Sequence, residues 1–188
     1  MKTKLFTAIL ALIVTGAFAT NPIKKEIKVK ESKIIWTGKK VTGSHTGTID
    51  LQDGTLIMEG DKLVGGSFTI NMTSLQVTDL EAGKGKEKLE GHLKSKDFFG
   101  TTAHPTATFT ITDVVQNGNV YSTVGNMTIK GITQSIRLRI SVYGNKATTK
   151  LSIDRTKHGI TYGSGSFFDN LKDKAINDEF ELDVTLNF

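Results

Sequence analysis

Apolar and polar residues alternate along most of this chain. The longest alternating run leads from Phe180 to Phe188, and shorter runs surround Leu138, Ile70 and Phe109. A period of two with one apolar face is typical of strands that are buried on one side and solvated on the other. The pattern therefore predicts antiparallel sheets over most of the chain.

Turn signals separate the alternating runs. The dipeptides that mark them are Asp53-Gly54, Gly60-Asp61, Asn117-Gly118 and Gly144-Asn145. Each lies where a tight hairpin would connect two antiparallel neighbours. Eight or so strands in hairpin succession are typical of a barrel or a sandwich, so we predict an all-β, single-domain fold.

One segment departs from the alternation. Between residues 86 and 96 the apolar side chains take helical spacing, with Leu89 and Leu93 four positions apart. A short helix here, followed by Phe98 and Phe99, would cap one end of a barrel. The lysines of the segment are Lys84, Lys86, Lys88, Lys94 and Lys96. They form either a solvated helix face or a cationic rim that attracts a phosphate or carboxylate to the barrel mouth.

The first residues have the pattern of an export signal. Lys2 and Lys4 precede an apolar stretch, and Ala17-Phe18-Ala19 matches the small-x-small pattern of signal-peptidase sites. The stretch is short for a membrane-spanning helix, which needs about 20 apolar residues. We therefore predict a signal peptide over residues 1–19 and one exported domain over residues 20–188, located in a periplasm or secreted.

Composition narrows the range of functions. The chain contains no Cys, which excludes disulfides, thiolate metal sites and a Cys nucleophile. Its formal net charge is +5, and removal of Lys2 and Lys4 with the signal peptide lowers it by two, to +3. A charge this small predicts no nucleic-acid partner. One Trp and three Tyr are too few for the two aromatic girdles of a membrane barrel, so we predict no stable membrane insertion.

The usual catalytic patterns are missing from the sequence. The Gly-rich segments lack the spacing of a phosphate-binding loop or a nucleophile elbow. No two of the four histidines have the paired spacing of metal ligands. We therefore predict no catalytic residue, no metal and no cofactor. Two alternatives stay open: a barrel enzyme that acts on a small apolar substrate through His92 or His158, and an interaction module with a filled core.

Five segments carry recognisable motifs in a fixed order. They span residues 65–74, 89–99, 104–109, 124–133 and 153–155, the last with Gly159 four residues on. The most distinctive is the HLKS-x-DFF sequence within residues 92–99. On these motifs the chain, from about residue 30 to residue 188, resembles the YceI-like family of exported lipid-binding proteins, also called polyisoprenoid-binding proteins. The resemblance implies a lipocalin-like antiparallel barrel of about eight strands with an apolar interior, without catalytic residues or metal, and is compatible with a homodimer.

The residues and the resemblance together predict a ligand-binding cavity inside the barrel. The side chains expected to line it are Trp36, Phe68, Ile70, Met72, Phe109, Ile111, Met127, Ile129, Leu138, Ile153, Tyr162, Phe167 and Phe168. Those expected to form its lid or mouth are Leu89, Leu93, Phe98 and Phe99. The predicted ligand is an isoprenoid or other long-chain amphiphilic lipid that the protein carries or stores. His158 stands where the family usually has an aromatic or apolar residue, and it would change ligand preference if it faced the cavity.

Overall fold

A computed structural model of the protein describes residues 21–188, and the predicted signal peptide lies outside the described residues. Strands account for most of the described chain. They are β1 (Ile23–Glu26), β2 (Lys33–Lys40), β3 (Gly43–Glu59), β4 (Lys62–Val77), β5 (Thr106–Asn117), β6 (Val120–Ile129), β7 (Ile132–Tyr143), β8 (Lys146–Asp154) and β9 (Ile176–Asn187). One α-helix, α1 (Lys86–Lys94), lies between β4 and β5.

Eight of these strands close into an antiparallel barrel. The order around it is β3-β2-β9-β8-β7-β6-β5-β4, and β4 pairs with β3 to complete the circle. The short strand β1 stands outside the circle and pairs with the second half of β3. The predicted all-β barrel of about eight strands is therefore confirmed.

The last strand, β9, closes the barrel by pairing with β2 on one edge and β8 on the other. On one edge it pairs with β2, where Ile34 lies opposite Val184 and Trp36 lies opposite Leu182. On its other edge it pairs with β8, where Leu151 lies opposite Leu182. The barrel wall is thus continuous across the place where the first and last long strands meet.

The connections between strands define two different ends of the barrel. At one end, here called the mouth end, lie residues 41–42, 78–105, 130–131 and 155–175. At the other, here called the closed end, lie the short turns at 60–61, 118–119 and 144–145. Leu63, Tyr121 and Val142 are buried beside these turns, together with Phe188. The Tyr121 hydroxyl donates a hydrogen bond to the Asp61 carbonyl (3.2 Å), which ties two of the turns together.

Three of the four predicted hairpin turns are confirmed. Gly60, Gly118 and Gly144 adopt left-handed backbone angles, with φ of 59°, 61° and 57°, as tight hairpins require. The structure adds two hairpins for which no turn was predicted, one between β2 and β3 at residues 41–42 and one between β6 and β7. The turn of the β6–β7 hairpin is Lys130-Gly131, with φ of 52° and 76°. Because lysine is rare at positive φ, the sequence carried no strong turn signal there.

The predicted turn at Asp53-Gly54 is wrong. Both residues lie inside the long strand β3, next to a β-bulge, and Gly54 is paired with Phe68 of β4. A Cβ atom at position 54 would lie 2.8 Å from the Phe68 ring. This glycine therefore makes room for an aromatic side chain. In the sequence alone, a glycine with this role looks the same as a glycine in a turn.

Helix α1 lies at the mouth end, as predicted. It begins after Gly85 and ends at Lys94, two residues earlier than expected, because Ser95 is extended and its hydroxyl donates to the His92 carbonyl (2.8 Å). The Glu90 carboxylate accepts a hydrogen bond from the backbone N–H of Val77 (2.8 Å) and so fixes the helix to the end of β4. None of the helices within residues 21–188 has the length and apolar character needed to cross a bilayer.

The barrel wall is thinnest between β7 and β8. Within the described chain these strands pair over three residues on each side, Ser141–Tyr143 with Lys146–Thr148, and then diverge. A small cleft of about 270 Å³ opens there. Hydrogen bonds from Gln134 to the Lys157 carbonyl (3.0 Å) and between His158 and the Ile132 carbonyl (2.9 Å) close the gap at the mouth end.

The gap predicts a directional pattern of hydrogen exchange along β7. Between residues 134 and 140, backbone N–H groups that point towards β8 should exchange roughly tenfold faster than those bonded to β6, because they lack one ladder hydrogen bond. Residue-resolved exchange measured by NMR checks this, and the alternate residues of the same strand are the internal control. Equal protection on both edges of β7 would contradict the expected opening.

Candidate functional site: the barrel cavity

The interior of the barrel holds one large apolar cavity of about 1140 Å³. Every barrel strand contributes side chains to it, because the inward positions of each strand are apolar. These include Ile34, Leu51, Ile70, Phe109, Met127, Leu138, Leu151 and Leu182. Helix α1 adds Leu89 and Leu93 at the mouth end. The interior is therefore an apolar container rather than a filled core.

Glycines set the positions of the aromatic rings that line the cavity. Phe68 and Phe109 stack with their ring centroids 6.3 Å apart. A Cβ at Gly125 would lie 2.4 Å from the Phe109 ring, so only glycine leaves that ring its place. A Cβ at Gly47 would likewise lie 2.5 Å from the Trp36 indole. The indole N–H of Trp36 donates to the Gln76 carbonyl (3.2 Å). The polar atom of Trp36 is thus satisfied by the wall, and a ligand meets only its apolar surface.

The opening at the mouth end is lined by charged residues. The lysines there are Lys39, Lys40, Lys84, Lys88 and Lys174, and the carboxylates are Asp173 and Glu179. Two of the lysines have acidic partners outside the lining, because Lys39 pairs with Glu181 and Lys84 with Glu81. Of the two interpretations of the lysine-rich segment, Lys84 and Lys88 fit the cationic rim.

An aromatic cluster forms one side of the opening. The His92 ring lies 4.5 Å from that of Tyr162 and 5.5 Å from that of Phe98, centroid to centroid. Phe99 continues the cluster to Phe180 of β9 at 5.9 Å. Helix α1 and the connection between β8 and β9 are therefore packed together across the mouth.

A buried arginine holds this side of the mouth in place. Arg155 is 2% exposed and donates hydrogen bonds to the carbonyls of Asn177 (3.0 Å), Ile160 (2.7 Å) and Ile176 (3.0 Å). Its guanidinium also lies 3.7 Å from the Asp178 carboxylate. Burial lowers the pKa of Arg155, and the neighbouring acids oppose that shift, so the group stays charged. One side chain thus fastens the connection between β8 and β9 to the first residues of β9.

The residue before Arg155 shapes the start of that connection. Burial alone would raise the pKa of Asp154, but hydrogen bonds from the hydroxyl and backbone N–H of Thr156, with Lys157 nearby, lower it overall. The carboxylate accepts from the Thr156 N–H at 3.0 Å and so caps a single 3-10 turn. A charged Asp154 is therefore part of the fold and does not face the cavity.

Most of the side chains that the sequence predicted to line the cavity do so. Fourteen of the seventeen are brought together around it: Trp36, Phe68, Ile70, Met72, Leu89, Leu93, Phe98, Phe99, Phe109, Met127, Ile129, Leu138, Ile153 and Tyr162. They come from six strands, two connections and α1. Whether each contacts a ligand stays a prediction.

Three predicted lining residues lie elsewhere. Ile111 is buried towards the closed end, against the position of Gly66. Phe167 and Phe168 are 58% and 51% exposed, because their backbone N–H groups both bond to the Ser164 carbonyl in a turn that directs the rings outward. Alternation tells which face of a strand is apolar. It does not give the depth along the barrel or the direction of side chains in a turn.

The histidines are placed differently from one another. His158 is 1% exposed, lies outside the cavity lining and bonds through Nδ1 to the Ile132 carbonyl. His92 does line the cavity, between two aromatic rings. His45, which we had not singled out, lines the opening and contacts Asp79 at 3.0 Å. No group of three or more metal-ligating side chains was found in the part of the chain that the structure describes.

Part of the cavity lining was not predicted from the sequence. The missed side chains include Ile34, Ile49, Leu51, Leu151, Phe180, Leu182 and Val184 of β2, β3, β8 and β9. For β9 the signal was present, since its apolar residues alternate to the end of the chain. The pairing of His45 with Asp79 had no sequence signal, because the two residues meet only when β3 lies against β4.

Comparison with known proteins places this barrel in a family. Among curated relatives, a UPF0312 protein of Pectobacterium carotovorum is 37% identical over 78 residues, 42% of this chain and 37% of the relative. The protein YceI of Shigella flexneri is 34% identical over 103 residues, 52% of this chain and 49% of the relative. The chain thus spans about half or less of the length of the curated relatives it matches.

Solved structures share the fold at low identity. The crystal structure of Burkholderia cenocepacia BcnA has a TM-score of 0.69 and 21% identity, and covers 85% of this chain and 98% of that one. A polyisoprenoid binding domain from Saccharophagus degradans has a TM-score of 0.58 and 12% identity, over 86% and 95%. A model of the YceI-like domain matches residues 26–188, nearly all of the described chain. The chain belongs to the YceI-like family.

Proposed function

We propose that this protein binds an isoprenoid or other long-chain amphiphilic lipid in its barrel and acts as an exported carrier or reservoir. The observation that carries the proposal is a cavity of about 1140 Å³ that is apolar along its length and charged only at its opening. A container of this kind suits a molecule with a long hydrocarbon chain and one polar end. The structural neighbour described as a polyisoprenoid binding domain supports the same ligand class.

The apolar wall can supply enough free energy for tight binding. Burial of one CH₂ group contributes about 0.8 kcal/mol, so a chain of about twenty carbons has roughly 16 kcal/mol of gross driving force. Association and ordering costs of about 4–15 kcal/mol are subtracted from that sum. For costs of about 4–8 kcal/mol, in the lower part of that range, micromolar to nanomolar affinity is reached without a strong polar contact inside the barrel.

The lysines at the opening favour an anionic head group. Lys39 and Lys84 pair with Glu181 and Glu81, which leaves Lys40, Lys88 and Lys174 against the carboxylates of Asp173 and Glu179. A phosphate or carboxylate at the end of the hydrocarbon chain would lie among these lysines while the chain fills the barrel.

The proposed location is outside the cytoplasm. The support is the basic and apolar pattern of residues 1–19, which ends in Ala17-Phe18-Ala19. In the aqueous periplasm or exterior, a closed barrel would shield a lipid that water alone does not dissolve.

Native mass spectrometry of protein purified from a bacterial periplasm without detergent tests the proposal. We expect a stoichiometric mass increment that an organic extract identifies as a lipid, and saturable binding of a fluorescent acyl or prenyl probe after the lipid is removed. A clean apo mass together with no binding of either probe would contradict the proposal and favour an interaction module. Turnover of a small apolar substrate that disappears in His92→Ala or His158→Ala would favour the enzymatic alternative.

A further inference from the structure

Exposed apolar side chains lie on two of the connections at the mouth end of the barrel. Tyr162, Phe167 and Phe168 are 49%, 58% and 51% exposed, and Val41 of the β2–β3 turn is 66% exposed. The two segments that carry them touch, since the Val41 backbone N–H donates to the Ala175 carbonyl (3.2 Å). We call these four side chains the apolar tip. Both exposed Phe residues of the described chain belong to it.

The outward position of the two Phe rings is built into the fold. Ser164 is fully buried, and its carbonyl accepts hydrogen bonds from the N–H groups of Phe167 (3.2 Å) and Phe168 (3.0 Å). Its hydroxyl accepts from the N–H of Ser166 (3.2 Å), and the hydroxyl of Ser166 donates to Asp178. An anchored turn therefore holds two large apolar side chains in water, which costs free energy unless another surface covers them.

The charges next to the apolar tip indicate what covers it. Lys40 adjoins Val41, Asp169 directly follows Phe168, and Lys172 and Lys174 come next in an exposed turn that also carries Asp173, so lysines outnumber carboxylates by three to two. At the opening itself Lys39 and Lys84 pair with Glu181 and Glu81, and the remaining lining charges are three lysines (Lys40, Lys88, Lys174) against two carboxylates (Asp173, Glu179). Aromatic rings beside lysines suit the boundary between lipid head groups and acyl chains, where each lysine near an anionic surface adds attraction. Four side chains are too few for a stable protein interface, which covers about 800 Å² on each partner.

We propose that the mouth end docks on a lipid bilayer that contains anionic phospholipids, with Phe167 and Phe168 inserted at the level of the head groups. In this orientation the cavity opens directly onto the membrane. A lipid then passes between bilayer and barrel without crossing water. The inference rests on the proposed function only in that a lipid carrier must meet a membrane.

Co-sedimentation with vesicles tests the docking. The vesicles are phosphatidylcholine alone, or phosphatidylcholine with about 30% phosphatidylglycerol, a content that gives the anionic surface on which the attraction depends. Wild type should sediment with the anionic vesicles, and 0.5 M salt should weaken binding. The double variant Phe167→Ser/Phe168→Ser should bind roughly tenfold more weakly or worse, because both rings leave the interface. Tyr143→Ser, an exposed aromatic at the closed end, is the matched control and should bind like wild type.

A second readout separates this inference from the proposed function. In solution the double variant should bind the prenyl or acyl probe like wild type, because neither Phe lines the cavity. Wild type that binds the probe but not anionic vesicles would overturn the docking and leave the carrier function standing. A double variant that sediments like wild type would also overturn it, as would a wild-type dimer that the double variant converts to a monomer. Vesicle binding without probe binding would support docking while contradicting the carrier.

Discussion

Replacement of Ala107 by Trp is expected to reduce affinity for a long-chain lipid probe about 100-fold while the barrel stays folded. Ala107 is buried, lies opposite Ile70 and points into the cavity. An indole there displaces about four CH₂ groups of the ligand, and at about 0.8 kcal/mol each this amounts to about 3 kcal/mol. The cavity accommodates the ring, so the free energy of unfolding should change by less than about 1.5 kcal/mol.

The matched control for this change lies on the same strand. Thr110 is exposed on the outer face of β5, between Ser67 and Asn126 of the neighbouring strands. Thr110→Trp adds the same ring without entering the cavity and should bind the probe like wild type. Fluorescence titration and denaturant unfolding of both variants measure the two effects. If Ala107→Trp retained wild-type affinity, the ligand would have to bind outside the barrel.

Replacement of Arg155 by Met is expected to lower the free energy of unfolding by about 3–5 kcal/mol, the usual cost of breaking a buried ion pair from one side. Met fills a similar space but donates no hydrogen bond. The carbonyls of Asn177, Ile160 and Ile176 lose their partner, and Oδ1 of Asp178 stays buried without one. Unsatisfied buried groups of this kind account for the size of the effect.

A double-mutant cycle with Asp178→Asn identifies the charge contribution to this loss. If the uncompensated Asp178 carboxylate causes part of it, the variant Arg155→Met/Asp178→Asn should be more stable than the sum of the single effects allows. Urea unfolding of the four proteins supplies the numbers. Strictly additive losses would show that Arg155 acts through the three carbonyls alone.

The secondary structure follows from local patterns, and so does most of the cavity wall. Alternation identifies the strands, and the inward positions of a closed barrel are necessarily its apolar ones, which is why Phe68, Met127 and Leu138 were placed correctly. Helix α1 was recognisable because Leu89 and Leu93 have the spacing of one helix turn and not that of a strand.

Two of the failures depend on distances between parts of the chain that are remote in sequence, and the third depends on the geometry of a local turn. The turn predicted at Gly54 is wrong because the role of this glycine, which is to leave room for the Phe68 ring, is visible only when β3 lies against β4. Ile111 has the right face, but its depth depends on how far the closed end is filled. The directions of Phe167 and Phe168 are set by the Ser164 carbonyl and not by any periodicity.

The position of β9 between β2 and β8 has a consequence for how the protein folds. Ile34 pairs with Val184, which lies 150 positions further along the chain. The hairpins can form locally, but a pairing of this separation must overcome loop-closure entropy before it stabilises anything. Until β9 arrives, β2 and β8 each present a free backbone edge to other chains. The time that one strand takes to dock therefore sets the interval in which the newly made protein is open to aggregation.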